Sequence, residues 1–308
     1  MRILVVGAGA IGGYFGGRLQ EKGEDVTFLV RARRKAQLEA TGLNIKSEHG
    51  DIELKPKLIT AEESAEAYDV ILLSTKSYHL EGAIRDLRSF TGEGTMIVPL
   101  LNGVAHIETL TEAFGEDAVL GGLCFVETTL DGAGTIIQTS PAHQLVYGER
   151  DGTMSERMTV LQKIFGGTKA DFKASGQISR EMWHKYMFIT AMSGITTAME
   201  SPIGPVMETK SGRNTVEALL KEIGAVMNAM KAQISADASG EQFARISGLK
   251  PEMKSSMQRD AEKAMPLESG HLQGYLLEKA YAYQITVPVL ETIYTRLVLA
   301  ELRMNNRI

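Results

Sequence analysis

Gly7-Ala8-Gly9-Ala10-Ile11-Gly12 places three glycines at the G-x-G-x-x-G spacing. Glycines at those positions permit a tight turn and let the backbone come close to a pyrophosphate. A helix opening there adds free N–H groups and the positive end of its dipole. The chemistry this suits is dinucleotide binding. The bare spacing is weak, but its context is right: a Val-rich run at residues 3–6 precedes it and a helical pattern follows. A glycine-rich turn without ligand is the alternative.

The next apolar run, residues 26–30, ends at Arg31. An NAD site usually carries Asp or Glu at the end of this strand, to bind the ribose 2′-hydroxyl. A guanidinium instead binds a 2′-phosphate, which a carboxylate would repel. Glu24 and Asp25 precede the strand, at its wrong end. The expectation is therefore NADP (NADPH). Arg33 and Arg34 suit either a phosphate or a solvated helix start. Lys76 and Asn102 follow the runs at residues 70–74 and 96–99. Ligands of open α/β sheets bind outside those carboxyl ends. A lysine there can meet phosphate or ribose, and an asparagine can both donate and accept. Each could equally be a solvated loop residue.

Hydride transfer to a ketone also needs a proton for the developing alkoxide. Lys185 lies within Met182-Trp183-His184-Lys185-Tyr186-Met187-Phe188, an otherwise apolar helical pattern. Desolvation there would suit it to proton transfer, and snorkelling to solvent would not. Glu268 follows Pro266 at a helix start, as a capping carboxylate or a partner for Lys185 or a substrate hydroxyl. His184 and His271 could serve a His–carboxylate mechanism, or simply pack. Met182, Met187, Met192, Met199 and Cys124 read as core filler.

Short apolar runs at residues 3–6, 26–30, 70–74, 96–99 and 118–121 alternate with helical patterns such as 11–22 and 34–40. That alternation predicts an α/β doubly wound sheet, parallel and buried on both faces. Residues 132–138 and 144–148 read as antiparallel strands closing this domain. From about Ser175 strand signals nearly vanish. Helical patterns follow at residues 178–199, 214–233, 255–263, 272–283 and 287–304, with a break at 201–205. Two domains are expected, residues 1–174 for the dinucleotide and an all-helical 175–308, as a length of 308 suggests. The single cysteine excludes an internal disulfide and a Cys-based metal site, and no metal is expected. A net charge of −5 with no basic stripe argues against nucleic acid. No apolar run reaches the ~18 residues of a membrane span, so a soluble, cytoplasmic protein is expected.

These features together resemble the ketopantoate reductase (2-dehydropantoate 2-reductase) family. The resemblance is carried by Gly7–Gly12 running into Gly13-Tyr14-Phe15-Gly16, by Ser74-Thr75-Lys76, and by Leu100-Leu101-Asn102-Gly103-Val104. Trp183-His184-Lys185, Ser255-Ser256-Met257-Gln258-Arg259-Asp260 and Glu268 complete it. It implies an NADPH-dependent reduction of ketopantoate to pantoate, on the way to pantothenate and coenzyme A. It also implies a Rossmann domain joined to a helical domain, with the substrate between them. Lys185 would be the proton donor, and Asn102 would touch nicotinamide and substrate. Lys76 and the backbone near Thr128 would hold the cofactor. Ser256 would contact the substrate carboxylate, and Glu268 would complete the catalytic and cofactor site.

The chain departs from the family pattern at Ile189, Ser193 and Ile203, where well-studied bacterial members carry asparagines. An isoleucine cannot replace an amide's hydrogen bonds. Ser193 or Thr190 could compensate, or the substrate could be another small 2-oxo acid. A non-catalytic NADP sensor on the same scaffold is the reading from a different class. A homodimer is possible, through the apolar pattern near the carboxyl end.

Overall fold

The structure is a computed structural model and describes residues Met1–Asn305. Two compact units emerge. One comprises Met1–Leu101 and His106–Ser179, and the other comprises Asn102–Ala105 and the chain from Arg180 onward.

The sheet unit contains β1 (Arg2–Val6), α1 (Ala10–Lys22), β2 (Asp25–Leu29), α2 (Ala32–Thr41), β3 (Leu43–Ser47), β4 (Ile52–Leu54), β5 (Lys57–Ile59), β6 (Val70–Leu73), α3 (Leu80–Leu87) and β7 (Met96–Pro99). α4 (Ala105–Phe114), β8 (Gly121–Leu130), β9 (Ile136–Gly148), α5 (Glu156–Phe165) and β10 (Asp171–Ala174) follow. The first sheet has the order β5-β2-β1-β6-β7, with every pairing parallel. Side chains alternate across it, as a two-residue period requires. Ile3, Val5, Val70 and Leu72 enter one core with Tyr14, Phe15 and Leu19 of α1. Leu4, Val6, Ile71 and Leu73 enter the other, with Leu80, Ile84 and Leu87 of α3 and Leu110 of α4. The doubly wound α/β expectation is met.

A second sheet was only partly legible in the sequence, through the strand patterns that fall within residues 136–148. It runs β10-β9-β3-β4, with β8 antiparallel to β9. Of its strands β3, β4 and β10 are short and carry charges, as does β5 of the first sheet, so no clean apolar run marks them. The strand expected at residues 118–121 is not one. Val119 makes a single parallel bridge to Ile97, and β8 starts at Gly121. Residues 132–135 are likewise a turn. Asp131 Oδ1 accepts from the N–H groups of Ala133 and Thr135, and Gly134 has φ +88°. β9 then runs unbroken through the expected gap at residues 139–143.

α1 lies between the two sheets, and its glycines explain how it does so. A Cβ on Gly16 would stand 2.7 Å from Phe28 and 2.8 Å from Val5 of the first sheet. One on Gly13 would stand 2.4 Å from Ile136, and one on Gly17 2.7 Å from Ile45, both of the second sheet. Close approach on two faces requires glycine on two faces.

The helical unit takes up α6 (Ile178–Ala198), α7 (Ile203–Glu208), α8 (Lys210–Ala229), α9 (Ala238–Ser247), α10 (Ser256–Glu262), α11 (Tyr275–Ala282) and α12 (Pro288–Met304). The first two residues of α6 stay with the sheet unit, where Ser179 Oγ donates to Arg150 O at 2.6 Å. α7 and α9 are additions to the expected helices. Within residues 201–205 the chain breaks only until Pro202, which caps α7. A π-helical turn, Gly270–Gly274, precedes α11. Among the described residues, no helix is long and apolar enough to cross a membrane.

Candidate active site

In the sheet unit the strand order reverses beside β1, and a cleft of about 590 Å³ opens at the carboxyl ends of β1, β2 and β6. Gly7 turns the chain out of β1 with φ +91°, a conformation glycine adopts without strain. Gly9 caps α1 and has nothing within 4 Å of a built Cβ, so the loop is open where a pyrophosphate would approach. Gly12 has the opposite environment. Its Cβ would lie 2.0 Å from Ser74 Oγ and 2.3 Å from Gly7 O. Ser74 Oγ donates toward Val6 O and Gly7 O, at 2.9 and 3.1 Å, and so holds the turn. Ala8 lines the cleft as well, and Ala10 and Ile11 form the first turn of α1, whose N–H groups have no helical partners. Thr75 Oγ1, at the cleft wall, is buried with no hydrogen-bond partner. This open, donor-rich cradle suits a dinucleotide.

Arg31 caps α2 at the cleft edge and donates to His79 Nδ1 at 3.4 Å. Burial and the Arg31 charge push the His79 imidazole below its ordinary value. Arg34 is committed elsewhere: it donates to Ala8 O (3.1 Å), Gln37 Oε1 (2.7 Å) and Gly134 O (3.2 Å). It therefore ties the glycine loop and the β8–β9 turn to α2. Arg33 is exposed, as the solvated alternative requires. Lys76 follows β6 at the cleft wall, half-buried. Thr128 lies on β8 with its hydroxyl oxygen buried and unpartnered, two residues before the cleft-lining Leu130.

In the helical unit, Lys185, Ile189 and Ser193 are four residues apart on α6, and so form one stripe about 12 Å long. Lys185 is only 9% exposed. Its charge therefore acts with little screening by water. Beneath this stripe the helix is clamped from the π-helical turn. Tyr186 donates to Leu272 O at 2.6 Å, and burial pushes its phenol well above the ordinary value. Gln273 donates to Thr190 O (2.8 Å) and Ser193 Oγ (3.0 Å). Because Ser193 accepts there, its own hydrogen is available to another acceptor.

Glu268 stands just before the same turn, half-buried. His271, within it, donates from Nε2 to Asn102 O at 2.9 Å. That bond pins the Asn102 backbone and fixes the tautomer. Burial pushes the His271 imidazole below its ordinary value, against the opposing pull of Glu268 and of the bond to Asn102. Nothing in the sequence announced this pairing of residues 169 apart. His184 packs: its Nε2 accepts from Ser235 N at 3.0 Å, and its Nδ1 faces Glu241 at 3.4 Å. Ser256 is exposed in the first turn of α10, whose cap is Ser255.

Residues 3–152 match the family model described as Ketopantoate reductase PanE/ApbA, and residues 177–301 match its C-terminal model. The chain belongs to the ketopantoate reductase family. This is a family of Rossmann-fold, NAD(P)-dependent oxidoreductases. Over 303 residues the chain is 45% identical to a protein of Bacillus subtilis (strain 168) called uncharacterized oxidoreductase YkpB, covering 98% of this chain and 99% of that one. It superposes on the crystal structure of 2-dehydropantoate 2-reductase from Geobacter metallireducens GS-15 with a TM-score of 0.87 and 27% identity, over 97% of this chain and 100% of that one. The fold is shared with a D-mandelate dehydrogenase solved with NADH and anilino(oxo)acetate, at a TM-score of 0.88 and 20% identity, over 99% and 100% of the two chains.

Within this ketopantoate reductase scaffold, the departures at residues 189, 193 and 203 differ in kind. Ile189 is half-buried and adds apolar surface to the Lys185 stripe. Ser193 is buried and keeps a polar group in the Gln273 clamp. Ile203 is buried at the start of α7, its N–H donating to Met253 O at 3.1 Å.

Proposed function

We propose that this protein reduces ketopantoate to pantoate with NADPH, a step toward pantothenate and coenzyme A. The observation that carries the reading is Lys185, a lysine held 9% exposed on the α6 stripe of a member of the ketopantoate reductase family. Gly7–Gly12, Arg31, Lys76, Asn102, Thr128 and Glu268 would hold the cofactor, which supplies the hydride when bound. Lys185 would donate the proton to the carbonyl oxygen and stabilise the charge developing on it. Ser256 and Asn102 would orient the substrate, and the Ser193 hydroxyl would supply one of the hydrogen bonds lost with the asparagines.

Ile189 and Ile203 favour a second reading, a small 2-oxo acid with a more apolar side chain. An isoleucine leaves a substrate hydroxyl without a partner, and a hydroxyl unmatched in a dry pocket weakens binding. The likeness of fold to a D-mandelate dehydrogenase supports this reading too.

The test is NADPH oxidation followed by absorbance, with ketopantoate beside a panel of 2-oxo acids and an NADH control. Efficient turnover of ketopantoate supports the first reading. Poor turnover of it with good turnover of an apolar acid supports the second. In either case Lys185→Ala should lower kcat about 10²- to 10⁴-fold and leave NADPH affinity nearly unchanged. Turnover near wild type would remove Lys185 from the proton-transfer role.

A further inference from the structure

We propose that His79 is a second ligand for the 2′-phosphate of NADPH, making the preference for NADPH over NADH proton-dependent. The inference rests on the NADPH reading above and deepens it. Three observations support it.

The first is convergence. Arg31 arrives from the end of β2, and His79 from the start of α3, where it occupies the capping position. They meet at 3.4 Å on the wall of the same cleft, both exposed. That edge lies beyond the second strand, where the ribose 2′ position falls in this kind of site. The second is the direction of the bond. A guanidinium only donates, so Nδ1 of His79 accepts from Arg31 and the imidazole is neutral. A phosphate entering between them would turn both side chains into donors, and charge-assisted bonds to phosphate are the stronger kind. The third is the surrounding charge. Arg31 and Arg34 face the cleft from the β2–α2 junction, and Lys76 from the end of β6. Glu62, from the loop after β5, and Asp86, from α3, oppose them. Three cations against two carboxylates leave a small positive excess, and one more proton on His79 would double it. Tyr78 covers the imidazole edge-on at 4.7 Å and carries no charge near neutrality.

The sign of the linkage follows. Without a ligand, burial and Arg31 hold the imidazole below its ordinary value. A bound dianion raises it. NADPH affinity therefore climbs as pH falls from the bound value to the free one, and is flat on either side. Each unit between the two values is tenfold in affinity. NADH lacks the 2′-phosphate and takes no part.

The experiment measures dissociation constants of NADPH and NADH by nucleotide fluorescence, from about pH 6 to about pH 8.5, in wild type and in His79→Gln. Glutamine keeps a polar side chain without a titrating charge. The titration of the phosphate itself is common to both proteins and cancels in the comparison. Calorimetry in two buffers of different ionisation enthalpy counts protons taken up. The expected result is about tenfold more NADPH affinity lost by wild type than by the variant over that range, with more protons taken up on binding by wild type than by the variant. NADH constants should be the same in both. Parallel NADPH curves, with NADPH still preferred, would overturn the role of His79 alone. NADPH bound no more tightly than NADH in wild type would overturn the role of His79 and the NADPH reading together.

Discussion

Alanine at Gly12 and alanine at Gly9 should damage this protein in different ways. At Gly12 the new methyl would stand 2.0 Å from Ser74 Oγ and 2.3 Å from Gly7 O, where an ordinary contact needs about 3.5 Å. Ser74 can rotate away only by releasing its bonds to Val6 O and Gly7 O, each contributing about 1 kcal/mol. Gly7 O is backbone and cannot rotate away, so the start of α1 must shift off β1. Overpacking of this kind costs about 1–3 kcal/mol. The sum is about 3–5 kcal/mol, or a Tm lower by roughly 6–20 °C for a unit of this size. NADPH binding should fall as well, because the turn that aims the N–H groups has moved. At Gly9 nothing lies within 4 Å, and φ −85°, ψ −164° is ordinary for any residue. The poorer capping by alanine and the smaller entropy of the unfolded chain nearly cancel, within about 1 kcal/mol. Stability should hold while the methyl blocks the pyrophosphate, weakening NADPH by at least about tenfold, or roughly 1.4 kcal/mol. Calorimetry of the apoprotein and fluorescence titration with NADPH measure the two quantities separately. Wild-type NADPH affinity in Gly9→Ala would refute the placement of the pyrophosphate. An unchanged Tm in Gly12→Ala would refute the packing argument.

Two further predictions concern the supports of the site and of the sheet unit. Tyr186→Phe removes the buried donor to Leu272 O and should cost about 1–3 kcal/mol, seen as a lower urea midpoint; an unchanged midpoint would mean that the π-helical turn finds another donor. Glu149 is held below the usual carboxylate range by its hydrogen bonds from Arg157. A carboxyl lowered in the folded state stabilises above its unfolded value, near 4.5, and that contribution disappears as pH falls through the folded value. The stability gap between wild type and Glu149→Gln should therefore narrow as pH drops below about 4.5, and a gap constant with pH would exclude the mechanism.

The amino-acid order alone determined the parts set by local chemistry. Apolar runs after which glycine, Arg31 or Lys76 stand mark a parallel sheet and its ligand-facing ends, because strand burial and turn geometry depend on near neighbours. The α6 pattern around Lys185 was equally legible, since a long, mostly apolar stretch without proline marks a buried helix by its own composition. Contacts between residues distant in the chain were settled only by the tertiary structure. Gly13, Gly16 and Gly17 are glycines because α1 lies between two sheets, and the short, charged strands β3, β4 and β10 of the second sheet do not announce themselves. Arg34 reads in the sequence as a possible phosphate ligand, yet its guanidinium is spent on Ala8 O and Gly134 O, the latter 100 residues away. Asn102 is positioned through His271, and Ser193 through Gln273. A hydrogen bond is formed by whichever donor and acceptor the fold brings within 3 Å, and no local pattern records which those will be.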